Sequence, residues 1–191
     1  HALLGENGAG KTTLMNILYG FYQPDEGEIL LDGKPVRLGS PKEAIGHGIG
    51  MVHQHFMLIL SLTVVENVIM GLKSPRGLLL DRGRAEKRIN ELSAQYGLRV
   101  DPRAEVWQLS VGERQKVEII KALYRNARIL VLDEPTAVLT PPEAKELMII
   151  IRRMAQRGLA VIPFITHKLP EVLEVSDRVT ILRQGEVVET I

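Results

Sequence analysis

Short apolar runs alternate with helical periodicities along this chain. That alternation predicts an α/β fold on a largely parallel sheet. Strands are expected at Ala2–Leu4, Glu28–Leu31, Ile49–Val52, Ile129–Leu132, Ala160–Thr166 and Val179–Arg183, with a short edge strand at Glu186–Val188. Ala144, Leu147, Met148, Ile151, Met154 and Ala155 recur three and four residues apart. They predict a helix over Pro142–Arg157, stopped by Gly158, with both methionines as core filler. Ile89 and Leu92 among charged residues predict another over Arg84–Tyr96, and Thr12–Tyr19 and Arg114–Tyr124 also read as helical. Asp32-Gly33 is hairpin chemistry, and Gly71–Gly83 reads as a linker into a small helical insert. Pro163 has no N–H to give a ladder, so a bulge is expected in its strand.

No run approaches the roughly 18 consecutive apolar residues of a membrane span. The nearest, Phe56 to Val65, contains Ser61 and Thr63 and ends at Glu66. A length of 191 residues suits one domain, and 45% apolar with 25% charged residues argues against a disordered chain. Lys and Arg number 24 against 23 Asp and Glu, a formal net charge of +1. That balance excludes binding to nucleic acid or membrane through bulk charge. The lack of cysteine excludes disulfides, thiolate metal sites and cysteine nucleophiles. No signal-peptide pattern is visible. The chain opens on His1 in what reads as the tail of a buried strand. It is therefore expected to be a piece of a longer protein, with part of the sheet beside its first strand absent.

Gly5-Glu6-Asn7-Gly8-Ala9-Gly10-Lys11-Thr12 fits the phosphate-binding pattern G-x-x-x-x-G-K-[ST], between a strand and a helix. Glycines let backbone N–H groups turn toward phosphate oxygens, and the next helix points its positive end at the same anion. Lys11 is expected on the β- and γ-phosphates, Thr12 on Mg²⁺ and Thr13 near the α-phosphate. Ile129 to Leu132 ends in Asp133-Glu134, which a buried parallel strand delivers to the sheet edge where ligands bind. Asp133 is expected to hold Mg²⁺, and Glu134 to orient or deprotonate the attacking water. His53 and His55 flank Gln54 with no third metal ligand evident, so they read as loop residues. Gly46-His47-Gly48-Ile49-Gly50 precedes a strand and reads as a turn, and Trp107 reads as packing in the insert.

With Leu109-Ser110-Val111-Gly112-Glu113 before a helix and Thr166-His167 ending a later strand, the chain resembles the ATPase subunit of ABC transporters over nearly its whole length. The wording of Met51 to Phe56, Thr136 to Thr140 and Phe164 to Leu169 is most similar to the simple-sugar and nucleoside importer branch, as the first of two tandem ATPase halves. The resemblance implies a P-loop NTPase of ABC type: a RecA-like parallel core over 1–70 and 125–191, a helical subdomain over about 71–124, and a partial antiparallel β-subdomain. It implies ATP and Mg²⁺ as cofactors. Glu134, His167 and Gln54 would be catalytic, and Thr12, Gln54 and Asp133 would hold the metal. Ser110, Val111, Gly112 and Glu113 would contact the nucleotide of an opposing ATPase domain, a tandem half or a second copy. Membrane permease domains and, indirectly, a solute-binding protein would complete the assembly on the inner face of the cell membrane, with no nucleic-acid partner. An adenine-stacking aromatic is expected upstream of His1. The chain departs from the family pattern at Val111 and Glu113, where Gly and Gln are usual, and at Thr140, where Asp is usual. A soluble ABC-type ATPase and an ATP-clamping domain with little turnover are the alternatives.

Overall fold

The computed structural model describes residues 1–72, 81–165 and 175–191, with backbone alone at 163–165. Thr166 and His167 lie outside the described residues, as does most of the expected linker. The strands β1 (Ala2–Leu4), β4 (Ile49–Val52), β5 (Ile129–Asp133), β6 (Ala160–Ile165), β7 (Val179–Arg183) and β8 (Glu186–Thr190) form one sheet in the order β4-β5-β6-β1-β7-β8. All pairings are parallel except β7 with β8. A separate hairpin joins β2 (Ile29–Leu31) to β3 (Lys34–Val36). Asp32 and Gly33 take φ of 52° and 74° at its turn, as the two-residue hairpin requires.

Two expectations about strands are corrected. β1 is flanked on both sides, with Leu3 opposite Phe164 and Thr180, so the first strand does not lack neighbours. Pro163 causes no bulge, and the register with β5 runs unbroken from Ile129–Ala160 to Asp133–Phe164. The reason is the alternation of a strand's bonds. The Val161 carbonyl accepts from the His1 amino group, on the β1 side, and Pro163 lies two residues on. Its missing N–H therefore falls away from β5, where β1 is beginning.

The sheet is apolar on both faces, as a covered parallel sheet must be. Leu130 and Leu132 pack with α3 (Val64–Ile69), α4 (Arg82–Tyr96), α5 (Val111–Tyr124) and α6 (Pro141–Gln156). Val131, pointing the other way, packs with Met15 of α1 (Lys11–Leu18) and Ala44 of α2 (Pro41–Gly46). Met148 and Met154 lie in the core as expected. Trp107 does not: the residue is 58% exposed and its indole N–H donates to Glu105.

Helix starts differ most from expectation. α5 begins at Val111, three residues before the predicted Arg114, and α2 and α3 lie where no helix is predicted. Ser110, Ser40 and Thr63 are their N-caps, each accepting from the N–H three residues on. At α5 and α3 the glutamate at that third position bonds back to the cap N–H, closing a capping box.

Candidate nucleotide-binding site

The segment from Gly5 to Gly10 leaves β1 and turns into α1. Gly8 and Gly10 take φ of 82° and 95°, a region costly for residues with a Cβ. At Gly5 the constraint is space, since a Cβ would stand 2.6 Å from the Leu182 carbonyl oxygen. Glu6, Asn7 and Gly8 are exposed, while Ala9 is buried beneath them. The Gly185 N–H donates to the Ala9 carbonyl at 3.0 Å, so the β7–β8 turn props the loop from below. Sequence reasoning missed that prop. Its signal was Gln184-Gly185 between two apolar runs, and these residues take φ of 51° and 84°.

Lys11 is 8% exposed, and its ammonium donates to the carbonyls of Gly5 at 2.7 Å and Glu6 at 2.8 Å. Burial pushes its pKa down, while the charges of Glu134 and Asp133 pull it back up. Thr12 and Thr13 follow it, exposed, on the first turn of α1.

Asp133 is the last residue of β5, at the sheet edge the loop also occupies. Burial and then repulsion from Glu134 raise its pKa, opposed by His53, Lys11 and His55. Glu134 has φ of 42°, left-handed for a residue with a full side chain. Such geometry costs of order 1–3 kcal/mol and collects at functional sites. The Gln54 amide, 80 positions earlier and just after β4, donates to Glu134 Oε2 at 3.4 Å. The fold thus gathers Lys11, Gln54, Asp133 and Glu134, contributed by three separate strand ends.

Ser110–Glu113 lie apart from this group, at the start of α5 and beside the start of α6. The Ser110 hydroxyl oxygen accepts the Glu113 N–H at 3.2 Å, and Glu113 Oε2 accepts the Ser110 N–H at 2.8 Å. Glu113 closes this capping box, as a glutamine at the same position could. Thr140 likewise caps α6 with Glu143. Within Gly46–Gly50, His47 and Gly48 make the expected helix-to-strand turn, joining α2, which ends at Gly46, to β4, which begins at Ile49.

Among the described residues, no group of three or more His, Cys, Asp or Glu is arranged to hold a metal ion. Mg²⁺ does not need one: it takes few protein oxygens and completes its shell with water and phosphate. The hydroxyl of Thr12, the amide oxygen of Gln54 and the carboxylate of Asp133 are hard oxygen donors of that kind. A half-buried Asp133 with a raised pKa, next to a second carboxylate, fits a cation.

A glycine-cradled lysine beside an acidic strand end, on the rim of a parallel sheet, defines a P-loop nucleotide-binding domain. The profile of the ABC transporter family matches residues 1–137, and the chain belongs to that family. It is 53% identical over 191 residues to the nucleoside import ATP-binding protein NupA of Lactococcus lactis subsp. cremoris, covering all of this chain and 38% of that protein. It is 52% identical over 219 residues to the glucose import ATP-binding protein TsgD13 of Haloferax volcanii, covering 100% of this chain and 40% of that one. The ribose import ATP-binding protein RbsA 1 of Rubrobacter xylanophilus is 50% identical over 98% of the chain and 38% of its own length. The chain therefore spans about two-fifths of these relatives. Among solved structures, cbiO1 from Clostridium perfringens, part of the ABC transporter complex cbiONQ, superposes with a TM-score of 0.83 at 30% identity over 99% of this chain and 75% of its own. The dimeric ATP-binding cassette MJ0796, bound to ADP and Pi, superposes at 0.77 with 29% identity over 100% and 83%. The ABC-type P-loop fold is thus established. No helix among the described residues is long and apolar enough to cross a membrane.

Proposed function

We propose that this chain is the ATP-hydrolysing motor domain of an ABC importer for simple sugars or nucleosides. The observation that carries the reading is the convergence of Lys11, Gln54, Asp133 and Glu134 at one sheet edge, with Gln54 bonded to Glu134. The loop of Gly5, Glu6, Asn7, Gly8, Ala9 and Gly10 cradles the phosphates with its backbone N–H groups, apart from that of Ala9, which donates to the Glu6 carbonyl and holds the turn. Lys11 exchanges its two loop carbonyls for β- and γ-phosphate oxygens, and Thr13 meets the α-phosphate. Thr12, Gln54 and Asp133 would hold Mg²⁺, which supplies charge neutralisation across the β- and γ-phosphates when bound. Glu134 accepts the proton of the attacking water, and Gln54 aims the carboxylate through its amide. His167 contacts the γ-phosphate in the same reading. Little covalent work falls to the protein, and the rate comes from positioning and electrostatics.

Ser110 to Glu113, including Val111 and Gly112, face the nucleotide of an opposing ATPase domain, a tandem half or a second copy. The Ser110 cap uses its oxygen as acceptor and leaves the hydroxyl proton to donate to phosphate. The described residues of about 71–124 belong to the helical subdomain in this reading, and those of 1–70 and 125–191 to the core. Permease domains receive the motion, a solute-binding protein delivers the solute, and the assembly works on the cytoplasmic side of the membrane. The import names of similar proteins support the solute class.

The test is Glu134→Gln in the full-length protein with its permease subunits. ATP binding should persist, phosphate release should fall by two orders of magnitude or more, and nucleoside or sugar uptake should stop. Unchanged phosphate release would remove Glu134 from the chemistry. ATP binding with no release by the unaltered protein would make this an ATP clamp, and co-purification with ribosomes in place of permeases would make it a soluble ATPase.

A further inference from the structure

Glu143 belongs to none of the motifs above, yet its carboxylate serves two helices at once. On α6 it is the third residue, and its Oε2 accepts the Thr140 N–H at 3.0 Å and the Thr140 hydroxyl at 2.7 Å. Its Oε1 crosses to α5 and accepts the Gly112 N–H at 3.3 Å. Gly112 is the second residue of α5, so that N–H is among those a helix cannot satisfy internally. The positive ends of both helices thus converge on one anion, where each favours negative charge. Thr140, Thr140 N–H and Gly112 together hold the carboxylate's pKa down.

The fit at Gly112 is tight. A Cβ there would stand 2.7 Å from Glu143 Oε1 and 3.0 Å from Cδ, which no ordinary side chain achieves without displacing the carboxylate. Beside it lies a small cavity of about 70 Å³ between the helices, into which Gln115, Lys116 and Glu146 also project. Gln115 is 3% exposed and its Nε2 has no hydrogen-bond partner among the described residues. The ion pair Lys116–Glu146, at 2.8 Å, spans the same helix pair further along. The Glu143 bridge is thus the contact between α5 and α6 nearest the signature residues.

We propose that Glu143 is a positioning residue: it latches the first turn of the signature helix to the segment that follows the acidic pair, and so sets how Ser110 is presented to the opposing domain's nucleotide. The proposal rests on the ATPase reading above for its effect on rate, but the latch itself is testable without it. A change felt between Glu134 and Thr140 then moves the start of α5 directly, without passing through the core.

Glu143→Gln separates the two roles of the carboxylate. Glutamine still closes a capping box with Thr140, but its second terminal atom is a donor and opposes the Gly112 N–H. In the full-length protein, amide exchange at Gly112, read by mass spectrometry with residue-level fragmentation, should quicken about tenfold on loss of a bond to a charged acceptor. In the same variant kcat for ATP hydrolysis should fall about tenfold with KM for ATP unchanged, while the melting temperature falls only by the roughly 2–4 °C that one such bond accounts for. Unaltered Gly112 exchange would show that no latch exists, whatever the protein's activity. Faster exchange with wild-type kcat would show a latch that positions nothing. A lower melting temperature with wild-type Gly112 exchange would make Glu143 an ordinary cap of α6. Should the unaltered protein release no phosphate, the ATPase reading fails, and the exchange measurement still decides the latch.

Discussion

Lys11 carries its charge into a nearly closed loop, where two carbonyls and two neighbouring carboxylates compensate for lost water. On the proposed reading, removing it leaves the phosphates without their one loop cation. Lys11→Ala should lower phosphate release by on the order of 10²–10³, measured in the full-length protein with saturating nucleotide. Asp133 shows the opposite economy. Its pKa is raised in the folded chain, so the native state holds its proton to higher pH than the unfolded chain does. Its ionisation therefore costs stability above the raised pKa, and the cost vanishes below the ordinary carboxylate range. Asp133→Asn should melt higher than the unaltered protein at neutral pH without nucleotide. The gap should close as pH falls through the raised pKa, as calorimetry at several pH values would reveal. A gap independent of pH would mean that the side chain's shape, not its charge, sets the difference.

At the scale of elements, the caps explain what the sequence reading got right and what it missed. Ser40, Thr63, Ser110 and Thr140 each stand three residues before a glutamate, and each opens a helix. Periodicity alone placed α6 within one residue, because sixteen residues give the apolar stripe room to repeat. It missed α2 and α3, six residues each, because a turn and a half repeats nothing. Glu113 in the signature and Thr140 in the loop after Glu134 depart from the family pattern. In their local context they are the ends of capping boxes. Ser110→Ala should therefore act twice. It should lower the melting temperature by roughly 2–4 °C, for a cap worth about 1 kcal/mol. It should also reduce hydrolysis where two ATPase domains meet. Loss of hydrolysis with no change in melting temperature would deny the cap.

A second clamp on α5 was invisible to sequence reading. Glu118 accepts the Met57 N–H at 2.5 Å and Lys121 donates to the Met57 carbonyl at 2.9 Å, while the two side chains pair with each other at 3.0 Å. This holds the segment after Gln54 against the middle of the signature helix. Contacts between residues some sixty positions apart leave no periodic trace. Glu118→Ala should destabilise the chain by roughly 1–3 kcal/mol, since it strands a partly buried donor, and urea unfolding would measure it.

For the whole molecule, strand identity was legible and strand company was not. The runs at Ile49–Val52 and Ile129–Leu132 announce themselves by carrying no charged residue, and the phosphate loop fixes which end of the sheet carries the site. Nothing local in Ala2-Leu3-Leu4 says that its neighbours are the sixth and seventh strands. That arrangement has a consequence in time. At ribosomal speeds of about 5–20 residues per second, on the order of ten to thirty seconds separate the emergence of β1 from that of β7. For most of that interval β1, whose Ala2 and Leu3 end buried, has neither of its strand partners, while β4 and β5 can already pair. Nascent chains halted after Asp133 should therefore bind a hydrophobic-segment chaperone through their first strand, and chains extended past Ile191 should release it.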